Sequence, residues 1–211
     1  MIVNMGDLHS QYLGIKTDID DAIARVIATS GFIRGPEVDA FEEAFAQANG
    51  VEHCVSCANG TDAIYIAMVA LGVKPGDEVI VPAMSWVSTS ETVSQAGGRV
   101  VFCDIDPATY TLDPEKLADC ITDKTVGIIP VHLYGHPADL GPIVRIAADK
   151  GLWVIEDTAQ GHLATYRGKT VGCFGTAATY SFYPGKNLGA MGDAGAIITR
   201  DAALATYMTK F

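Results

Sequence analysis

The feature that most constrains this chain is its rhythm between residues 53 and 155, where short apolar strands alternate with amphipathic helices. The spacing predicts strands over His53–Ala58, Glu78–Val81, Arg99–Cys103, Val126–Val131 and Leu152–Ile155. Between them it predicts helices over Thr61–Leu71, Val87–Ala96, a segment opened by Asp113-Pro114-Glu115, and Leu140–Asp149. Asp113 supplies an N-cap and Pro114 a first-turn proline, which fixes where that helix starts. Strands that are apolar throughout are covered on both faces, and strands joined by helices run parallel. The fold class is therefore α/β, a mostly parallel sheet with helices on both faces.

The flanks read differently. Thr17–Thr29 is predicted helical, with Ile19, Ile23, Val26 and Ile27 on one face. Gly35-Pro36 opens a second helix with Val38, Phe41, Phe45 and Ala48 in one stripe, closed by Gly50. After residue 175 the pattern becomes two strands, Thr176–Ser181 and Ala194–Thr199, joined by a glycine-rich loop that holds Lys186. A last helix starts at Asp201 and runs toward Phe211 without a closing signal.

Bulk properties exclude several function classes. The 211 residues are 49% hydrophobic and 18% charged, enough for one large domain with a real core. A net charge of −11 with no basic face argues against nucleic acid. No apolar run reaches the length of a membrane span. The first residues, Met1 to Asp7, lack a basic region followed by an apolar stretch, so no secretory signal is expected. The five cysteines, at 54, 57, 103, 120 and 173, are an odd set without scaffold spacing, which points to a reducing cytoplasm. Cys54 and Cys57 form a CxxC, but no second pair follows at metal-ligand spacing. On a strand the two point to opposite faces, so both are expected in the core and no metal is.

Ligands of open α/β sheets collect at the carboxyl ends of strands. Several polar residues fall there. Gly60 and Thr61 sit at a strand-to-helix junction, which is either a phosphate cradle or an ordinary N-cap turn. Asp157 follows the apolar run Leu152-Trp153-Val154-Ile155. A carboxylate there needs a cation, either a protonated pyridine nitrogen or a structural partner, unless it only caps its loop. Lys186, surrounded by glycines, is either a Schiff-base lysine or a solvated one. Trp86 either stacks on a flat ring or belongs to the core. Ser181 either donates to a phosphate or simply ends its strand.

The sequence resembles the DegT/DnrJ/EryC1/StrS family of pyridoxal-5′-phosphate (PLP)-dependent sugar aminotransferases along nearly its whole length. The resemblance rests on Gly35-Pro36-Glu37-Val38, Asn59-Gly60-Thr61-Asp62-Ala63, Pro75 to Pro82, Val131-His132-Leu133-Tyr134-Gly135, and Glu156-Asp157-Thr158-Ala159-Gln160. Its most specific stretch is Ser181-Phe182-Tyr183-Pro184-Gly185-Lys186-Asn187-Leu188-Gly189-Ala190 with Gly192-Asp193. It implies the fold type I large domain of PLP-dependent transferases, with a mostly parallel seven-stranded sheet, and a homodimer. It also implies roles: Lys186 forms the Schiff base and moves protons, Asp157 pairs with the pyridine nitrogen, and Gln160 contacts the phenolic oxygen. Trp86 stacks on the ring, and Gly60, Thr61 and Ser181 hold the phosphate.

The implied reaction moves an amino group from an amino acid, usually glutamate, to a keto group of a nucleotide-linked sugar. The stretch around Lys186 looks like members acting on 3-keto sugars; members acting on 4-keto sugars more often carry a histidine after Ser-Phe. The other readings are a non-catalytic binding or regulatory protein on this fold, and a different fold type I PLP enzyme. Residues 1–35 read as an N-terminal segment and 36–211 as the PLP-binding large domain. The family's small C-terminal domain lies beyond Phe211, so the chain reads as a truncated piece. One local departure stands out: family members follow the glutamine with Ala-His-Gly, whereas Gly161-His162-Leu163 follow Gln160 here. A changed local packing is expected.

Overall fold

The computed structural model describes residues 6–211. The reading of the chain's extreme start as free of a leader thus lies, for Met1–Met5, outside the described residues.

The elements in chain order are α1 (Leu8–Gly14), α2 (Lys16–Thr29), α3 (Pro36–Asn49), β1 (His53–Cys57), α4 (Gly60–Ala70), β2 (Glu78–Pro82), α5 (Ser88–Gln95) and β3 (Arg99–Cys103). There follow α6 (Pro114–Cys120), β4 (Thr125–Ile128), α7 (Leu140–Lys150), β5 (Trp153–Asp157), the small hairpin β6 (Thr165–Tyr166) and β7 (Lys169–Thr170), β8 (Ala177–Ser181), β9 (Gly195–Thr199) and α8 (Ala202–Met208). Seven strands form one sheet in the order β1-β9-β8-β5-β4-β2-β3. Only β9 runs against its neighbours, pairing antiparallel with both β8 and β1; the remaining pairs are parallel. The seven-stranded, mostly parallel α/β sheet expected from the sequence is present.

Alternation along the strands divides the core between two faces. Val55, Ile155, Ala177 and Ile197 pack with Ala63, Ala67 and Met68 of α4. Their strand neighbours Cys54, Ala178, Tyr180 and Ile198 pack with Phe45 of α3. A third cluster joins Ile80 and Ile128 to Leu117 of α6 and Ile143 of α7. Cys54 falls in the α3 cluster and Cys57 against the α4 cluster, so the two cysteines of the CxxC face opposite sides of the sheet. Burial pushes both thiols up to about 12.

Several boundaries differ from the sequence reading. The strand expected over 126–131 ends at Ile128, although pairing with β5 resumes as a bridge from Val131 to Asp157. Pro130 has no N–H to donate, which breaks the ladder, while its carbonyl still accepts from Asp157 N–H at 2.9 Å. β5 reaches Asp157, which is therefore the last strand residue and not a loop residue. The final helix stops at Met208 with Asp201 as its cap. α1 and the β6–β7 hairpin carry no strong sequence signal and were not expected. The apolar stripe of α2 exists but is not buried: Ile23 is 47% and Ile27 61% exposed. Among the described residues, no helix is long and apolar enough to cross a membrane.

Candidate functional site

The predicted residues meet at the carboxyl ends of β5 and β8 and the start of α4. At that start Asn59, not Gly60 or Thr61, is the N-cap: its Oδ1 accepts from Asp62 N–H at 2.8 Å. Gly60 and Thr61 are the first two helical residues, so neither N–H has an i−4 carbonyl within the helix. Gly60 is needed for space and not for its backbone angles. A methyl group there would lie 2.6 Å from Ser181 Cβ and 3.1 Å from Ser181 Oγ. Behind it, Gly195 lets β9 approach Asn59, whose carbonyl oxygen would be 2.2 Å from any Cβ at 195. Two glycines thus bring the end of β8 against the start of α4. The Ser181 hydroxyl then shares a corner with two free N–H groups and the positive end of an 11-residue helix, a constellation that suits a phosphate.

Asp157 forms the floor of the site and is 4% exposed. Its Oδ2 accepts from the Thr89 hydroxyl at 2.9 Å and its Oδ1 from Ala159 N–H at 3.1 Å. Burial pushes its pKa above the usual carboxylate range, opposed by those two hydrogen bonds and by the nearby His132 and Lys186 side chains. The loop-cap reading accounts for Oδ1 only. A buried carboxylate whose ionised form burial disfavours is a site prepared for a cation, and a protonated pyridine nitrogen supplies one. With the phosphate corner alongside, the residues present fit PLP.

Lys186 lies on the β8–β9 loop, half-buried, with its N–H donating to the Tyr183 carbonyl at 2.8 Å. Its charge acts on both Asp157 and His162. The Gln160 side chain is fixed through Oε1, which accepts from Tyr134 N–H at 2.6 Å, leaving its amide N–H groups to reach a ligand oxygen. Trp86 precedes α5 and is 74% exposed, so the core alternative for it is excluded and its ring is uncovered by protein. Thus Gly60, Thr61, Ser181, Asp157 and Lys186 share one region, with Gln160 and Trp86 on flanking turns.

Sequence reasoning missed the residues that hold this arrangement. Ser88 Oγ lies 2.7 Å from Thr61 Oγ1, and the next residue, Thr89, binds Asp157. The one available signal was a run of hydroxyls on a short helix, Ser88-Thr89-Ser90. Also missed was the buried pair of His132 and Glu156, joined Nε2 to Oε2 at 3.1 Å. His132 Nδ1 accepts from Ala138 N–H at 3.1 Å, so the ring proton sits on Nε2 and is donated to Glu156. Glu156 further accepts from the N–H groups of Gly172, Phe174 and Gly175, each at 2.7 Å. That network pins the segment before β8 to β5.

The departure after Gln160 has a local explanation. A Cβ on Gly161 would lie 2.9 Å from His132 Cβ, so this backbone passes close over the His132 ring. Leu163 carries a φ of 56°, a left-handed conformation better suited to glycine. Burial pushes the His162 ring down to about 4, and it packs 5.4 Å from Tyr180 and 5.5 Å from Phe182 between centroids. A separate cleft of about 640 Å3, lined by Asp106, Asp113, His136, Tyr166 and Arg167, holds none of the predicted site residues. Among the described residues, no group of three or more His, Cys, Asp or Glu side chains is placed to bind a metal.

Comparison with known proteins places the chain in a family. A model of the DegT/DnrJ/EryC1/StrS aminotransferase family matches residues 14–211. The UDP-2-acetamido-2-deoxy-3-oxo-D-glucuronate aminotransferase of Pseudomonas aeruginosa is 50% identical over 204 residues, covering 97% of this chain and 57% of that protein. A "pleiotropic regulatory protein" of Geobacillus stearothermophilus is 49% identical over 205 residues, covering 97% and 55%. The crystal structure of NtdA from Bacillus subtilis with bound cofactor PMP superposes with a TM-score of 0.90 at 38% identity, covering 100% of this chain and 48% of that one. The chain spans a little over half the length of the curated relatives it matches. On the strength of these matches, this chain belongs to the DegT/DnrJ/EryC1/StrS aminotransferase family.

Proposed function

We propose that this chain is the PLP-binding large domain of an aminotransferase that acts on a nucleotide-linked sugar. Residues 36–211 form the domain, residues 1–35 a separate N-terminal segment, and a small C-terminal domain and a second subunit complete the enzyme. The observation that carries the reading is the buried Asp157 carboxylate, within reach of the Lys186 charge and beside the Gly60–Ser181 corner.

When bound, PLP supplies the electron sink for removing a proton α to nitrogen. The chain's own residues supply the rest. The N–H groups of Gly60 and Thr61, with the Ser181 hydroxyl, hold the phosphate. Asp157 keeps the pyridine nitrogen protonated through its buried negative charge. Gln160, braced by Tyr134 N–H, donates to the phenolic oxygen. Trp86 covers one ring face and excludes water from it. Lys186 would anchor the cofactor, and its amine would hold and move the proton.

The amino donor is an amino acid, glutamate by preference, and the acceptor a 3-keto sugar. The Pseudomonas relative, named for a 3-oxo sugar substrate, supports the second choice. All five cysteines are free, in keeping with a reducing cytoplasm. The Geobacillus relative, named as a regulatory protein, favours the second reading, a non-catalytic regulator on this fold.

The test is spectroscopic. PLP is added to the purified chain and its visible absorbance recorded before and after borohydride, beside Lys186→Ala. The reading expects a shifted band that borohydride fixes covalently to Lys186, that the variant lacks, and that glutamate bleaches. A folded chain with no such band, even when extended to the relatives' full length, would leave the regulatory reading in its place.

A further inference from the structure

We propose that Thr89 is the positioning residue of Asp157, and that the first turn of α5 sets the ring end and the phosphate end of the site in one rigid register through two adjacent hydroxyls. This rests on the reading of Asp157 as the partner of a bound cofactor's ring nitrogen.

The geometry is specific. Thr89 is 1% exposed, far from solvent that could replace its hydrogen bond. Its hydroxyl lies 2.9 Å from Asp157 Oδ2 and 2.9 Å from Ser85 Oγ. Thr89 has one hydrogen to give. An ionised Asp157 can only accept, so the hydrogen goes to Oδ2 and Ser85 must donate to Thr89. The chain of donation therefore runs from Ser85 to Thr89 to Asp157. With Ala159 N–H on Oδ1, both carboxylate oxygens are held and the carboxylate plane cannot turn. The neighbouring Ser88, also buried, is tied to Thr61 on α4. Thr92 in turn donates to the Ser88 carbonyl at 2.7 Å. One helical turn thus spaces Asp157 from the phosphate corner.

The titratable groups bearing on Asp157 are His132, in the turn after β4, and Lys186 on the β8–β9 loop. Glu156, the adjacent strand residue, points to the other face and is satisfied by His132 and three backbone N–H groups. None of these changes in the variants below.

The experiment follows the Asp157 carboxyl carbon by NMR in the cofactor-free chain across pH, in wild type, Thr89→Val and Thr89→Ser. Valine keeps the branched shape and removes the donor; serine restores it. Losing a donor to the charged form raises the titration midpoint, by about one pH unit for a hydrogen bond to a charged group. Thr89→Val should show that rise and Thr89→Ser should reverse it. In parallel, the dissociation constant for PLP, measured by fluorescence quenching, should rise about tenfold in Thr89→Val and recover in Thr89→Ser. An unchanged midpoint in a folded Thr89→Val overturns the proposal. If neither this chain nor one extended to the relatives' full length binds PLP, the cofactor reading fails separately, and the Asp157 midpoint still decides the role of Thr89. If Thr89→Val does not fold, Ser85→Ala replaces it: the midpoint must then rise by a smaller amount, and no movement counts against the proposal.

Discussion

Gly60 and Ser181 face each other so closely that a methyl group on Gly60 would lie 2.6 Å from Ser181 Cβ. Real carbon atoms do not approach that far, so Gly60→Ala must push the end of β8 away from the start of α4. The Ser181 hydroxyl would then leave the corner it shares with the free N–H groups. Gly60→Ala is expected to weaken PLP binding by about 10- to 100-fold, on the order of one hydrogen bond to a charged group. Titration of PLP into the variant, with circular dichroism to confirm the fold, checks this.

Trp86 separates function from stability. It is 74% exposed, so truncation removes little packing, and Trp86→Ala should change unfolding free energy by no more than about 0.5 kcal/mol. Its proposed stacking on the cofactor is worth about 1 kcal/mol beyond simple burial. PLP affinity should fall about fivefold to tenfold, and Trp86→Phe should restore most of it. Parallel thermal melts and PLP titrations of the two variants make the comparison.

Glu156 predicts an acid limb to stability. Burial alone would raise its pKa, but the hydrogen bond from His132 and the backbone N–H donors outweigh it, and the pKa lies below the usual value. The folded carboxyl is thus more acidic than the unfolded one. Its contribution is complete above the unfolded value of about 4.3 and is lost as pH falls through the lower folded value. Glu156→Gln removes this dependence. It also turns an NH2 toward donors that need an acceptor, at a cost of about 3 kcal/mol. Urea unfolding midpoints of wild type and variant at a series of acidic pH values should show the wild-type curve descending toward that of Glu156→Gln.

Gly127 tests the packing of the sheet. A Cβ there would lie 2.2 Å from the Trp153 ring, which crosses it from the paired position on β5. Gly127→Ala forces the indole out of its place, at about 1–3 kcal/mol. The melting temperature should fall by about 2–12 °C, at about 2–4 °C per kcal/mol for a chain of this size, with PLP affinity per folded molecule unchanged. Differential scanning calorimetry beside a PLP titration measures both.

The sequence by itself determined the strand and helix alternation, the parallel sheet, and most boundaries to within two residues. These depend on local periodicity and on punctuation such as Asp113-Pro114 and Gly50, which act over a few residues. Polar residues at the ends of apolar strands drew attention to Gly60, Thr61, Asp157, Ser181 and Lys186 but left their roles open; the family resemblance assigned those roles and added Gln160. The early stop of β4 at Ile128 was hidden because an apolar run does not say where its ladder breaks; only the position of Pro130 against β5 does.

What tertiary structure alone decided is which of those residues meet and what holds them. Gly60 and Ser181 are 121 residues apart, and only the order of β1, β9 and β8 beside α4 brings them together. Thr89 is 68 residues from Asp157 and looks in the sequence like any hydroxyl on a short helix. His132 and Glu156 each look like ordinary strand-end polar residues until folding seals both from water and leaves them only each other and nearby backbone N–H groups as partners. Side-chain hydrogen bonds across such distances have no period and no spacing. They are set by how layers pack, and a linear reading does not contain that information.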